Sequence, residues 1–176
     1  MKYFFALIIL VLAIILIFVF QAKNRETFYG LKTVSNLNME GKMGQENIPS
    51  DTTRPTVLIW FHPECFNCRY QLDVINDNIR RLDSARFLFI TPEKDFFKKK
   101  FSSAWPELVK SSNALFGIIE KSRFIDEFGP VVTPSLLFFN QRGILKEKLY
   151  GEVKVEKIVY LIKNNSVPEQ TISGSN

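Results

Sequence analysis

Two cysteines constrain this chain more than any other feature of its sequence. Cys65 and Cys68 are the only cysteines among 176 residues, and two residues separate them. A short apolar run, Thr56–Phe61, precedes them, as expected of a strand buried on both faces. From Cys65 onwards, apolar residues recur at spacings of three and four, which is one face of a helix. The pattern predicts a strand, a short turn and then a helix from about Cys65 to Asp83.

This placement of the thiols predicts disulfide chemistry. Unpaired backbone N–H groups and the helix dipole favour an anion at the start of a helix. We therefore expect a lowered pKa at Cys65, and the thiolate is the form of cysteine that attacks disulfides. Cys68 lies one turn further along the same face, where the two sulfurs can close an intramolecular disulfide. We predict that Cys65 is the catalytic nucleophile and that Cys68 resolves the mixed disulfide.

Other uses of the two thiols remain open. They could form a structural disulfide. They could also supply half of a zinc site, but structural zinc takes four protein ligands, and the sequence adds only one histidine, His62. A zinc site within one chain is therefore disfavoured, whereas a site shared by two chains is not.

The N-terminus predicts a membrane anchor. Residues 3–20 form an apolar run without a charge, and as a helix they would span about 27 Å, close to the thickness of a bilayer core. We expect residues 1–22 to be an uncleaved transmembrane helix that contacts the lipid bilayer, with a cleaved signal peptide as the alternative. Counting positive residues slightly favours the bulk of the chain inside. A dithiol domain, however, is most useful in an oxidising compartment.

Composition divides the rest of the chain. We expect residues 23–52 to be a linker with one or two short strands at the domain edge, residues 53–164 to be the core domain, and residues 165–176 to be a loose tail. Residues 91–93, Thr-Pro-Glu, indicate the start of a helix. The three lysines at 98–100 are expected to be a solvated face, with a membrane or partner patch as the alternative.

Strands and helices alternate through the core domain, with turn residues between them. The strand–helix–strand unit at its start predicts two parallel strands joined by a right-handed crossover. The elements after the cysteine helix are, in chain order, a strand at 86–91, a short strand or irregular segment at 113–119, a helix at 120–128, an antiparallel hairpin around the turn 141–143, and a last amphipathic helix that includes 155–162.

This order of elements resembles that of the thioredoxin-like superfamily. A second signature is also similar, because Thr133-Pro134 before an apolar strand resembles the family's cis-proline loop. The resemblance implies an α/β thioredoxin-like fold, in which a central mixed β-sheet is flanked by helices. It further implies that the loop faces the two sulfurs, and that Thr133 and Pro134 bind the substrate, with the Thr133 backbone pairing with an extended strand.

The sequence departs from that family at two positions beside the thiols. The family's usual tryptophan before the first cysteine is Glu64 here, and its buried carboxylate in the preceding strand falls on Ile59, which cannot carry a proton. His62 and Glu64 flank the site and could transfer protons in its place. The alternative for each of them is a turn residue without a catalytic role.

With its predicted anchor, the chain is similar to membrane-tethered thioredoxin-like proteins of bacteria. That similarity implies a thiol–disulfide oxidoreductase on the periplasmic side of the cytoplasmic membrane, which reduces protein disulfides with electrons from a membrane donor. No organic cofactor or metal is implied beyond the redox-active Cys65–Cys68 disulfide. The net charge of +5, without a nucleic-acid motif, gives no reason to expect DNA or RNA. A non-catalytic binding module, a copper(I) metallochaperone and a peroxidase of the same scaffold are the alternatives.

Overall fold

The protein is described by a computed structural model that covers residues 11–16, 38–41, 44–47, 53–94, 96 and 101–166. The chain divides into two units, Met1–Leu31 and Lys32–Asn176. In the first unit, residues 11–16 form a helix with exposed side chains. None of the helices in the described ranges is long and apolar enough to cross a membrane. Most of the predicted anchor, residues 3–20, lies outside those ranges.

The second unit is built on a mixed β-sheet. Its strands are Asn38–Gly41 (β1), Gly44–Asn47 (β2), Thr56–Trp60 (β3), Arg86–Thr91 (β4), Ala114–Ile118 (β5), Ser135–Phe139 (β6) and Leu145–Tyr150 (β7). Within the described residues they are ordered β2-β1-β5-β4-β3-β6-β7 across the sheet. The strand that leads to the cysteines therefore lies inside the sheet, with neighbours on both sides.

Helices cover both faces of this sheet. They are Phe66–Asn78 (α1), which continues as a 3-10 turn over Ile79–Leu82, Phe101–Ala104 (α2), Pro106–Lys110 (α3), Lys121–Phe128 (α4) and Val155–Ser166 (α5). One apolar cluster contains Leu72 and Ile75 of α1 with Ile158 of α5. A second contains Phe124 and Phe128 of α4. Because both faces of β3 meet a cluster, all its residues are buried, and this explains its continuous apolar run.

The predicted strand–helix–strand unit is confirmed. The strands β3 and β4, joined by α1, pair in parallel from Thr56↔Arg86 to Trp60↔Ile90. The strand β6 pairs antiparallel with β3 on its other side. The predicted hairpin is also confirmed, since β6 and β7 pair antiparallel. In its turn, the Asn140 side-chain oxygen accepts hydrogen bonds from the amides of Arg142 and Ile144.

Short strands lie at the edge of the sheet, as predicted for the segment before the core domain. The strand β1 pairs antiparallel with β5 through Glu40↔Ile118 and Gly41↔Gly117, and β2 pairs antiparallel with β1. The hairpin of β1 and β2 therefore covers the free edge that β5 would otherwise present.

Three predicted boundaries differ from the structure. The α-helix after the thiols starts at Phe66 and gives way to the 3-10 turn at Ile79, before Asp83. The predicted helix start at Thr91 is wrong, because Thr91 ends β4 and its hydroxyl oxygen accepts from the Glu93 amide within a turn. The last helix continues to Ser166. The lysines at 98–100 lie outside the described residues.

Candidate active site

The first thiol lies at the N-terminal cap of α1. Cys65 has an extended backbone (φ −76°, ψ 119°), and the helix begins at the next residue. The Cys68 amide donates to the Cys65 sulfur at 3.3 Å, and the Cys65 carbonyl accepts from the Arg69 amide at 3.1 Å. The sulfur thus occupies the position of a capping oxygen. The amides and dipole of the helix favour its anion there, as predicted from the sequence.

A loop far away in sequence contacts this sulfur. The Cys65 sulfur lies 3.7 Å from the carbonyl oxygen of Thr133 and donates to it as a thiol. The Thr133-Pro134 peptide bond is cis, as predicted. Ser135 pairs with Trp60, the last residue of β3, so the loop and the start of α1 meet at one end of the sheet. The fold therefore brings Cys65 and the Thr133-Pro134 loop together.

The second thiol is enclosed in the core. Cys68 is fully buried in the apolar cluster that also contains Ile59, Phe61 and Leu72. Burial, followed by the neighbouring Cys65, raises the pKa of Cys68 to about 12, although the backbone amide of His62 opposes this rise. Ile59 is fully buried as well. The position at which the resembling family has a proton-accepting carboxylate therefore holds an apolar side chain in this chain.

The two thiols differ in their electrostatic environments. Burial alone would raise the pKa of Cys65, but hydrogen bonds with Cys68, with the Thr133 side chain and with the Asn67 amide outweigh it and lower the pKa below its ordinary value of 9.0. Near neutral pH the thiolate population is consequently larger at Cys65 than at Cys68. The half-buried sulfur therefore has the environment that suits a nucleophile, whereas burial favours the protonated form of the other sulfur.

His62 fixes the turn before the first thiol. Its Nδ1 accepts a hydrogen bond from the Glu64 amide at 3.3 Å, which leaves the proton of the neutral ring on Nε2. That Nε2 lies 3.2 Å from a carboxylate oxygen of Glu93. The Glu64 carboxylate is exposed. Both predicted proton-transfer residues thus border the site, together with Glu93, which the sequence analysis did not single out.

An open groove runs beside this turn. It has a volume of about 550 Å³, and its lining residues are His62, Pro63, Glu64, Pro92, Glu93, Lys94 and Phe96. Acidic, basic and apolar side chains therefore all line the space beside the turn that precedes Cys65. Within the described residues, no group of three or more His, Cys, Asp and Glu side chains is arranged to hold a metal ion.

Two buried polar residues near the site escaped the sequence analysis. Gln71 lies one turn after Cys68 and bonds both backbone groups of Val153, donating to the carbonyl at 3.2 Å and accepting from the amide at 2.6 Å. Lys148 of β7 is almost entirely buried, and its Nζ donates to two backbone carbonyls. Strand alternation groups Lys148 with the exposed Lys146 and Tyr150, so the periodicity gave no signal for its burial.

Comparison with solved structures identifies the fold. No family model and no curated protein matches the sequence. The structure of MTB DsbF, in mixed oxidised and reduced forms, matches with a TM-score of 0.61 at 13% identity, over 74% of this chain and 96% of that chain. A secreted disulfide oxidoreductase of Mycobacterium tuberculosis, homologous to E. coli DsbE, matches with a TM-score of 0.60 at 12% identity, over 74% and 97%. An exposed lipoprotein thioredoxin of Streptococcus pneumoniae matches with a TM-score of 0.55 at 12% identity, over 73% and 98%.

These identities are too low to transfer a substrate or a partner. The matches do extend over nearly the full length of each solved chain, and they cover about three quarters of this chain, which folds as a mixed sheet with flanking helices. The fold of this chain is therefore thioredoxin-like, as its element order and two signatures implied.

Proposed function

We propose that this chain is a thiol–disulfide oxidoreductase whose redox centre is Cys65 and Cys68. One observation carries the proposal, namely that a half-buried sulfur at the start of a helix accepts from a helix amide while a second sulfur one turn later is fully buried. The opposite directions of their pKa shifts agree with these positions. A structural disulfide or a pair of ordinary buried cysteines does not need a half-exposed sulfur at a helix start. An exchange reaction needs that sulfur as its nucleophile.

The proposed reaction proceeds by two displacements. The Cys65 thiolate attacks one sulfur of a substrate disulfide, so a mixed disulfide forms and the other substrate sulfur leaves as a thiolate, which takes up a proton. Cys68 then loses its proton and attacks the Cys65 sulfur. The Cys65–Cys68 disulfide forms, the second substrate thiol leaves, and two electrons have passed from the protein to the substrate. His62, Glu64 or Glu93 would accept the Cys68 proton, directly or through water.

The substrate in this proposal is an extended protein segment that carries a disulfide. Thr133 is exposed beside the nucleophile, so its backbone is available to pair with such a segment, and Pro134 would fix the loop. Phe66 follows Cys65 in the sequence and Val132 precedes Thr133, and the apolar side chains of both are exposed. They would supply contacts for apolar residues around the substrate disulfide.

The cellular setting completes the proposal. We infer that residues 3–20 anchor the chain in the bacterial cytoplasmic membrane, that the thioredoxin-like domain faces the periplasm, and that a membrane donor keeps the dithiol reduced. The apolar run supports the anchor, and the secreted and exposed proteins of the same fold support the compartment. Alkaline phosphatase fused after Lys23 should be active in the cell, and an inactive fusion would place the domain inside.

Reduction of insulin disulfides, with dithiothreitol as the electron source, tests the enzyme. We expect the wild-type protein to accelerate it, Cys65→Ser to abolish the acceleration, and Cys68→Ser to accumulate a mixed disulfide at Cys65 that is visible by mass spectrometry. Equal rates for wild type and Cys65→Ser would refute the proposal. In that case, tight copper(I) binding by the wild type alone would favour a metallochaperone instead.

The reduction potential of the Cys65–Cys68 couple tests the direction of the reaction. A reductase is expected to have a potential near the reducing end of the thioredoxin-fold range, about −270 mV for thioredoxin itself, whereas strong oxidants lie near about −120 mV. Equilibration with glutathione or dithiothreitol buffers would measure it. A value at the oxidising end would leave the exchange chemistry in place and reverse the proposed direction.

A further inference from the structure

A buried cation supports the loop that contacts the nucleophile. Residues Gly129–Thr133 connect α4 to the cis-proline at the start of β6. From the neighbouring strand β7, the side chain of Lys148 extends beneath this connection. Its Nζ donates to the carbonyl oxygen of Phe128 at 3.0 Å and to that of Pro130 at 2.7 Å. Lys148 is only 9% exposed, so the ammonium has exchanged water for these carbonyls.

These contacts suit a cation at this position. Phe128 is the last residue of α4, and the carbonyl end of a helix attracts positive charge. The ring of Tyr150 lies 5.2 Å from the Lys148 Nζ, and its hydroxyl reaches the Pro130 carbonyl at 3.5 Å. Burying an ammonium is unfavourable unless it is paired or hydrogen-bonded. The two carbonyls and the Tyr150 ring therefore stabilise the Lys148 ammonium in this position.

Further hydrogen bonds hold the other end of the loop. The Val132 carbonyl accepts from the Ser135 hydroxyl, and the Pro134 carbonyl accepts from the Gly151 amide at 2.8 Å. Between these held groups, the Thr133 carbonyl points to the Cys65 sulfur. Lys148 fixes the half of the loop that lies before Thr133, and the strand pairing of β6 and β7 fixes the half after it.

We propose that Lys148 is a positioning residue that holds the Gly129–Thr133 loop so that Thr133 stays in contact with Cys65 and remains aligned for the substrate. The expected effect on the substrate rests on the proposed exchange activity, whereas the expected effect on the Cys65 thiol does not. Loss of the ammonium should let the loop move. The Cys65 thiolate should then lose the hydrogen bond of the Thr133 side chain, and the substrate should lose its alignment with the Thr133 backbone.

The test compares Lys148→Met with Lys146→Met in the full chain. Both variants remove one positive charge from β7, but Lys146 is exposed. In Lys148→Met we expect the midpoint of the pH–rate profile for Cys65 alkylation to move upwards, because the hydrogen bond of the Thr133 side chain contributes to lowering the pKa of Cys65. We also expect KM for insulin to rise by roughly tenfold, as misplaced positioning groups commonly cost that much or more. Lys146→Met should match wild type in both measurements, and Lys148→Arg should recover part of both losses.

Several outcomes would overturn the inference. A lower melting temperature with an unchanged alkylation profile and unchanged KM would make Lys148 a purely structural residue. If Lys148→Met does not fold, Lys148→Gln replaces it, since its shorter amide cannot reach both carbonyls, and unchanged profiles there would be equally decisive. If wild type fails to reduce insulin, the proposed function fails, while the alkylation profiles still decide whether Lys148 positions the loop.

Discussion

At the scale of single residues, the position of each sulfur on one helical turn determines its chemistry. Cys65 lies before the first helical residue, where amides have no partner within the helix and donate to its sulfur. Cys68 lies within the first turn, and its side chain packs into the buried apolar cluster. A step of three positions along the helix thus places one sulfur in a polar, half-exposed environment and the other in the core. The same chain segment thus supplies both the proposed nucleophile and a protected second thiol.

The first prediction concerns thiol reactivity. In the fully reduced protein near pH 7, iodoacetamide should alkylate Cys65 faster than Cys68 by on the order of a hundredfold or more, because only Cys65 has an appreciable thiolate fraction and an accessible sulfur. The midpoint of its pH–rate profile should lie below 9.0. Peptide mass spectrometry after a timed reaction measures both sites, and Cys65→Ser serves as the control for Cys68 alone. Equal rates would contradict the environments described for the two thiols.

The second prediction concerns alkaline stability. The folded-state pKa of Cys68 is raised, mainly by burial, so between pH 9 and that raised pKa the unfolded chain loses a proton that the folded chain keeps. The free energy of unfolding should therefore fall as pH rises above about 9. Urea denaturation should compare Cys65→Ser with the double variant Cys65→Ser/Cys68→Ala. Their difference should be constant below pH 9 and shrink above it, and a difference that stays constant to pH 10.5 would exclude the shift.

At the scale of elements, polar side chains of α1 connect it to its neighbours. Gln71 holds the segment that leads into α5. The indole of Trp105 donates to Asp73 at 2.7 Å. The Asn76 side chain accepts from the amides of Glu107 and Leu108, and so caps the first turn of α3 from outside that helix. The helix that carries the thiols is therefore fixed by directional bonds as well as by its apolar face.

The third prediction follows from Gln71. Replacement by leucine keeps the volume but leaves the amide and the carbonyl of Val153 without their partner in the core, which should cost on the order of 1–3 kcal/mol in the free energy of unfolding. Urea denaturation would measure the loss. Arg69→Leu, at an exposed position of the same helix, should change stability by no more than about 0.5 kcal/mol. Similar losses in the two variants would mean that the buried bonds to Val153 contribute little.

At the scale of the whole molecule, the mixed sheet brings the two thiols and the Thr133-Pro134 loop together at one end, and a short hairpin covers the edge of β5. The strand β3 ends just before the turn that leads to Cys65, and β6 begins just after Pro134. The site is thus assembled where two adjacent antiparallel strands end and begin. At the β5 side, the hairpin of β1 and β2 continues the sheet outwards. An uncovered strand edge invites pairing with another chain, so we expect this hairpin to limit self-association through β5.

The fourth prediction tests that hairpin. A chain reduced to residues 53–176 should keep the core of β3 to β7 and fold, but it should be less stable than residues 32–176 by about 1–2 kcal/mol, because it loses the hydrogen bonds between β1 and β5. It should also form concentration-dependent oligomers in analytical ultracentrifugation, through the exposed edge of β5. If both forms are monomeric and equally stable, the β1–β2 hairpin does not protect the sheet.

Patterns of local origin predicted most of this architecture. Neighbouring residues alone determine three of the predicted features, and the structure confirms each of them. They are the apolar run of β3, the helical period after Cys65 and the turn of the β6–β7 hairpin. The cis bond at Pro134 came from the family resemblance instead. The start of α1 at the first thiol was predicted from the apolar spacing that begins there, and the lowered pKa of Cys65 was predicted from the amides and dipole of a helix start.

Features that depend on distant contacts escaped prediction. Thr91 has the residue type of a helix cap, but pairing with β5 keeps it in β4. Lysine is ordinarily a solvated residue type, and carbonyls at the end of α4 and just after it bind the buried Lys148 ammonium. The same holds for Glu93, which meets His62 across the turn. In each case the deciding partner lies far away in the sequence, so no local period reports it.

The enclosure of Cys68 has a consequence for oxidative damage. A peroxide that reaches this site meets Cys65 first and converts it to a sulfenic acid. The protected neighbour can then condense with that acid and release water, which closes the disulfide before the irreversible sulfinic and sulfonic acids form. Such a dithiol would be protected from irreversible oxidation, because its disulfide can be reduced again by the next electron donor.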